Sequence, residues 1–306
     1  MGVSTLGKKR EMNLIEFIKR FPNEQMCRDH FRQYRLKKGV ICKKCGHSTH
    51  YWLSGKEQFQ CKQCGFRTTL RSGTVLQGSK LPFWYWYITF HLMSSTKKGF
   101  SAHEVRRQLG HKRYEPIWLM MRKIRAAMGK ADGTKTLAGM VELDDGYFST
   151  GTSKRVKKRL KRGKGSQKKS KVTVMAESFP LEIEGGREYY CGQFKMKANS
   201  SENKEAIDQV VSQAIDPASV LFTDRSTSYV DLKSLVDVHV SYKSSWEGIE
   251  ELKWVHIAIA NAKRTLLGIY HVIKEKYLQY YLDEFCYKLN RRYSTNLFDN
   301  LVFNSV

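Results

Sequence analysis

Apolar residues recur at helical spacing near the start of the chain: Leu14, Phe17, Ile18 and Phe21, then Phe31, Tyr34 and Leu36. With basic side chains between them, they predict helices across residues 12–38. The period changes after that. Short alternating runs at 51–53 and 58–60 predict hairpin strands. Three helical stretches follow. Pro82 opens an aromatic one carrying Phe83, Trp84, Trp86, Tyr87 and Phe90. Ser101-Ala-His-Glu104 is a capping-box pattern before a short helix that stops at Gly110. The third runs from Glu115 to Met128 and ends at Gly129. A helix, a tight glycine turn and a second basic helix are the outline of a helix-turn-helix. Residues 129–136 read as a linker.

Beyond the linker the pattern turns to β-branched and aromatic runs, which predict strands at 141–143, 171–176, 188–196 and 220–223, with a fifth at 237–242. Residues 201–214 are helical, capped by Ser200 or Ser201, and two helices, about 255–270 and 274–292, finish the chain. A mixed sheet with helices packed around it is the economical architecture.

Charge sharpens this picture. The 306 residues carry a formal net charge of +25. Residues 1–136 hold 28 Lys and Arg against 8 Asp and Glu, and residues 154–171 hold 11 basic side chains and no acid. Such clustering points to a polyanion partner, and nucleic acid fits best. At 41% hydrophobic and 27% charged the chain is globular rather than disordered. The longest apolar candidate for a membrane span, residues 81–93, is too short and contains a proline, and the N-terminus lacks the apolar core of a secretory signal.

Four of the seven cysteines form two close pairs, Cys42-Lys-Lys-Cys45 and Cys61-Lys-Gln-Cys64, each followed by glycine (Gly46, Gly65). This spacing suits a four-thiolate zinc site in a reducing compartment, with the glycines turning the chain back over the metal. A closed four-cysteine shell makes the zinc structural. His47 and His50 are near enough to compete as ligands, but the shell is complete without them. Lys43, Lys44, Lys62 and Arg67 suggest that this ribbon touches DNA. Cys27, Cys191 and Cys286 read as ordinary buried or half-buried thiols.

Val141-Glu-Leu-Asp144-Asp145 and Val220-Leu-Phe-Thr-Asp224 are apolar strands that end in acids. Side by side, they would present Asp144 and Asp224 at one sheet edge. Carboxylates are hard ligands for Mg²⁺ or Mn²⁺, and paired ions about 3.5–4 Å apart suit in-line attack on a phosphodiester. Strand alternation puts Glu142 on the face of Asp144 and turns Asp145 away.

At these residues the chain resembles bacterial insertion-sequence transposases of the ISXO type, which pair an N-terminal zinc ribbon with a DDE-type, ribonuclease-H-like catalytic domain. The resemblance rests on the ribbon, on Val141-Glu-Leu-Asp-Asp145, on Phe222-Thr-Asp224 with Tyr229, and on Trp254-Val-His-Ile-Ala-Ile-Ala-Asn-Ala-Lys-Arg264. Leu267-Gly-Ile-Tyr-His271 and Tyr281-Leu-Asp-Glu-Phe-Cys-Tyr-Lys-Leu-Asn-Arg-Arg292 extend it toward the C-terminus. It implies two-metal DNA strand cleavage and strand transfer, with Asp144 and Asp224 as the first and second catalytic acids. The third acid is missing, since no Asp or Glu occurs between Glu251 and Glu275. The resemblance places Asn261 there. Helix geometry offers a rival. At about 100° per residue, His256 and Lys263 are nearly in phase, while Asn261 lies about 140° from His256, so one of the two faces the metals.

The expectation is an α/β chain: a helical segment (1–38), a zinc ribbon (39–75), a helix-turn-helix-like DNA-binding region (76–136) and a ribonuclease-H-like mixed sheet with flanking helices (137–306). The partners are double-stranded DNA, at the element ends and the target, and further copies of the chain; no membrane is involved. DNA contacts are expected from Lys154, Arg155, Lys157, Lys158, Arg159, Lys161 and Arg162 in the basic loop and from Lys263 and Arg264 on the late helix. The metals are structural zinc and catalytic Mg or Mn, and the location is the bacterial cytoplasm, at the nucleoid. Rival readings are a zinc-ribbon regulator, a transposase relic without catalysis, and a nuclease that cuts without joining.

Overall fold

The structure is a computed structural model that describes residues 12–151, 166, 168–183, 186–199, 204–226, 229, 231–242 and 252–306. The chain divides into two compact units, residues 1–128 with 293–306, and residues 129–292.

The first unit begins with α1 (Leu14–Arg20) and α2 (Glu24–Lys38), each started by an asparagine cap. Asn13 forms a reciprocal capping box with Glu16, and Asn23 accepts the Met26 N–H. The ribbon strands β1 (His50–Leu53), β2 (Gln58–Cys61) and β3 (Arg67–Thr69) make an antiparallel sheet. Arg35 of α2 is buried over the Phe59 ring and donates to the Leu70 and Ser72 carbonyls, which fastens the helix to the ribbon. Next come α3 (Phe83–Ser95), α4 (Ala102–Gln108) and α5 (Tyr114–Gly133). Pro82 supplies no side-chain cap to α3, and Glu24 from α2 does so instead, accepting the Phe83 and Trp84 N–H groups at 2.9 and 2.7 Å.

Four expectations change here and at the junction with the second unit. Ser101 caps α4 as foreseen, accepting the Glu104 N–H at 3.1 Å, but the Glu104 carboxylate turns to Arg107 rather than closing the box. The presumed linker from Gly129 is helical to Gly133. Gly129 does not end α5; a Cβ there would lie 2.3 Å from an Asp283 carboxylate oxygen, so glycine answers a close approach. Residues 293–306, grouped by sequence with the sheet, belong to the first unit. Their helix α9 (Leu297–Ser305) inserts Phe298 among Phe17, Phe21 and Tyr87.

The second unit is built on a five-stranded sheet of β4 (Met140–Ser149), β5 (Lys169–Ile183), β6 (Gly186–Ala198), β7 (Val220–Asp224) and β8 (Val238–Tyr242). The order is β6-β5-β4-β7-β8. The first three strands are antiparallel neighbours, and β4, β7 and β8 run parallel. This is a ribonuclease-H-like mixed sheet. Helix α6 (Lys204–Ala214) covers one face, packing Ile207 and Val211 on Val141, Leu143, Met175 and Leu221. Helices α7 (Lys253–Ile269) and α8 (Leu278–Asn290) cover the other, where Val255, Ala258, Ile259, Leu278 and Leu282 meet Phe148, Val172, Val174 and Phe222. The three central strands, β5, β4 and β7, therefore divide their side chains between two cores, as a period of two requires.

Candidate active site and zinc centre

The ribbon brings its four thiols together. Cys42 and Cys64 sulfurs are 3.5 Å apart, Cys45 and Cys61 are 3.6 Å apart, and all four lie within 4.8 Å of one another. Sulfurs about 2.3 Å from a tetrahedral zinc stand about 3.8 Å from each other, so this set fits the ion. Gly46 and Gly65 adopt φ of 74° and 70°, and their N–H groups bond back to the Cys42 and Cys61 carbonyls. Desolvation opposes ionisation of Cys42, but the Cys45 and Lys44 N–H groups hold its thiol down at about 6. His47 is bonded to Thr49 and His50 to the Ser48 carbonyl, so neither joins the cluster. Cys27, Cys191 and Cys286 are buried as expected, and desolvation raises all three thiols.

In the second unit, the parallel register pairs Leu143 with Thr223, which sets Asp144 beside Asp224; β7 ends at Asp224 as expected, but β4 does not end at its acids and runs on to Ser149, paired with β5. Leu143 and Leu221 enter the α6 core, while Phe222 packs on the α7 side. Alternation then turns Glu142, Asp144 and Asp224 toward α7. Each carboxylate is oriented. Asp224 Oδ1 accepts the Ser226 N–H at 3.1 Å, and Asp144 Oδ1 accepts the Asp145 N–H at 2.7 Å. Asp144 Oδ2 lies 3.1 Å from His256 Nε2. Helix α7 gets this close because β4 has a glycine beneath it: a Cβ on Gly146 would sit 3.3 Å from Ile259.

Of the two candidates for the third position, the structure brings His256 to Asp144, whereas Asn261 is exposed and makes no hydrogen bond to either aspartate. Lys263, in phase with His256, lies over the Phe148 ring of β4, with its nitrogen 5.8 Å from the centroid, and Arg264 is exposed. Lys154, Arg155, Lys157, Lys158, Arg159, Lys161 and Arg162 lie outside the described residues.

Two roles were not foreseen. Glu142, 3% exposed, caps α7 by accepting the Trp254 and Val255 N–H groups at 2.7 and 3.1 Å. Burial pushes its carboxyl up to about 7, against the pull of those two donors. Asp145 faces the opposite side of the sheet and pairs with Lys171 at 2.9 Å. Glu142 was legible through alternation, but its partners, on a helix far along the chain, were not.

The family model of the ISXO2-like transposase domain matches residues 136–290, just over half of the chain. The chain belongs to the ISXO2-like transposases. The model of the transposase zinc-ribbon domain matches residues 22–67, so in this transposase the ribbon match takes in α2 as well as the cysteine pairs. No curated protein matches the transposase. A solved structure, "Crystal structure of a pre-cleavage Mos1 transpososome", is similar at 8% identity over 68% of this chain and 75% of that chain, with a TM-score of 0.24. No helix among the transposase's described residues is long and apolar enough to cross a membrane.

Proposed function

We propose that this transposase binds the terminal inverted repeats of its insertion sequence, cleaves a DNA strand there and joins it to target DNA. The observation that carries the reading is the Leu143–Thr223 register, which sets two carboxylates side by side on the face that α7 covers. Asp144 and Asp224 fit divalent Mg²⁺ or Mn²⁺, because carboxylate oxygens are hard ligands and the two stand at neighbouring positions of β4 and β7. Bound there, such ions supply activation of the attacking oxygen and neutralisation of the leaving one.

The chain's own side chains do the rest. Asp144 and Asp224 hold the ions. His256, supported by its 3.1 Å approach to Asp144, is our assignment for the third position ahead of Asn261. Lys263 and Arg264, with the basic residues from Lys154 to Arg162, neutralise phosphates of the bound strands. The ribbon and the α4–α5 pair recognise the element ends, and two or more copies act together on paired ends in the bacterial cytoplasm.

Full-length protein incubated with flanking-repeat DNA and Mg²⁺ or Mn²⁺ tests the reading, with nicked and joined products scored separately. Both products are expected. Nicks without joints would make the protein a nuclease. Bound but intact DNA with either ion would make it a regulator or a relic.

A further inference from the structure

Directly behind Asp144, on the α6 face of the sheet, a second set of polar side chains is packed away from solvent. Lys171 Nζ lies 2.9 Å from Asp145 Oδ2, with side chains only 8% and 12% exposed. Thr173 donates its hydroxyl to Asp145 Oδ1 at 3.0 Å and accepts from Asn199 Nδ2 at 2.8 Å. The antiparallel register puts these partners there, with Thr173 opposite Asp145 and Lys171 opposite Tyr147. Tyr229, 2% exposed, comes from the turn after β7, where its N–H bonds the Ser226 carbonyl and the Ser226 N–H bonds Asp224. Burial, then the charges of Asp145, Asp144 and Asp224, push its phenol far above the ordinary tyrosine range, and its hydroxyl has no hydrogen-bond partner among the described residues.

Both oxygens of Asp145 are thus committed on the face away from Asp144. Recruiting that carboxylate to a cation would break a buried ion pair and strand Lys171 without a partner. Its backbone, however, does reach the other face, through the N–H that Asp144 Oδ1 accepts at 2.7 Å.

We propose that Asp145 is a positioning residue, held by Lys171 and Thr173, that fixes the orientation of Asp144. The inference rests on the reading of Asp144 and Asp224 as the cation ligands. It makes a prediction of opposite sign to simple electrostatics. As a bare positive charge near a cation site, Lys171 weakens cation binding, and its removal would tighten it. As the anchor of Asp145, its removal lets Asp145 and the Asp144 carboxylate shift, and binding weakens.

The experiment is a Mn²⁺ titration of full-length, zinc-loaded protein, with free Mn²⁺ followed by electron paramagnetic resonance. The variants are Asp144→Asn, Asp145→Asn, Lys171→Met, Lys171→Arg and Thr173→Val, each checked for zinc content and far-ultraviolet circular dichroism. Asp144→Asn should lose the site. Asp145→Asn, Lys171→Met and Thr173→Val should each weaken Mn²⁺ binding about tenfold, the scale of outer-shell changes, and Lys171→Arg should restore it. Thr173→Val replaces the hydroxyl that holds Asp145 Oδ1 with a methyl group of similar size and carries the test if Lys171→Met fails to fold. Unchanged or tighter binding in Lys171→Met or Thr173→Val overturns the proposal. So does complete loss in Asp145→Asn, which would make Asp145 a ligand. Unchanged binding in Asp144→Asn defeats the underlying active-site reading instead, so the two failures are told apart.

Discussion

Glu142 Oε2 lies 2.7 Å from the Trp254 backbone nitrogen, so the residue two places before Asp144 holds the first turn of the helix that carries His256. The same oxygen takes the Val255 N–H at 3.1 Å. No side chain from α7 itself caps this end, because Leu252 occupies the cap position. Strand and helix are thereby locked in phase, and the Asp144–His256 approach follows from that lock.

Removing the cap should loosen the site and the fold together. Glu142→Ala strands two N–H groups in the interior and is expected to cost about 1–3 kcal/mol in urea unfolding. Glu142→Gln keeps a carbonyl acceptor and should retain most of that stability. Equal unfolding midpoints for Glu142→Ala and wild type would remove the cap from the account.

The active-site assignment predicts a split between chemistry and binding. Asp144→Ala and Asp224→Ala should each abolish strand cleavage and leave the affinity for repeat DNA intact, since the ribbon and helix-turn-helix are in the other unit. His256→Ala should lower cleavage by at least about 1.4 kcal/mol, a factor of ten, while Asn261→Ala leaves it within twofold. The reverse order in a single-turnover cleavage assay would give the third position to Asn261.

Zinc should follow the thiols. Wild-type protein is expected to hold one zinc per chain by elemental analysis, and Cys42→Ser with Cys61→Ser should hold none. Cobalt substitution should show the intense thiolate charge-transfer bands of a tetrahedral site, and a double variant that keeps its zinc would refute the assignment.

The first unit should weaken in acid through Asp299. Burial opposes ionisation of this carboxyl, but His30 and Arg20 outweigh it and hold it well below the usual carboxylate range, with Arg20 donating two 2.9 Å bonds. A depressed folded-state pKa contributes stability that is complete above the unfolded value of about 3.9 and is lost as pH falls below it. Asp299→Asn should flatten the decline in thermal stability between pH 5 and 2 that wild type shows. An identical decline in both proteins would place the acid sensitivity elsewhere.

DNA affinity of the full chain should fall steeply with salt, because binding by clustered Lys and Arg releases counterions from the phosphates. A dissociation constant that stays flat from 50 to 200 mM salt, measured by fluorescence anisotropy on repeat DNA, would contradict the reading of the basic front part.

The sequence by itself determined what depends on neighbours along the chain. Two C-x-x-C-Gly turns name a zinc site because each binds two ligands within one turn. Alternation along β4 separates Asp145 from Glu142 and Asp144 because a strand has a period of two. Helical phase sets Asn261 apart from His256 for the same kind of reason.

Only the tertiary structure decided which of those two faces Asp144. The choice depends on Val255, Ala258, Ile259 and Ala262 packing against the sheet, and on Gly146 letting the helix settle there. Lys171 read as the end of a basic loop until register placed it beside Asp145. Gly129 read as a helix stop until Asp283 occupied the space that a Cβ would need. Helix α9 went unread, since nine residues carry little periodic signal and its partners Phe17 and Phe21 lie at the other end of the chain. In each case the deciding contact joins residues far apart in sequence, and local propensity holds no information about which distant surface an element will meet.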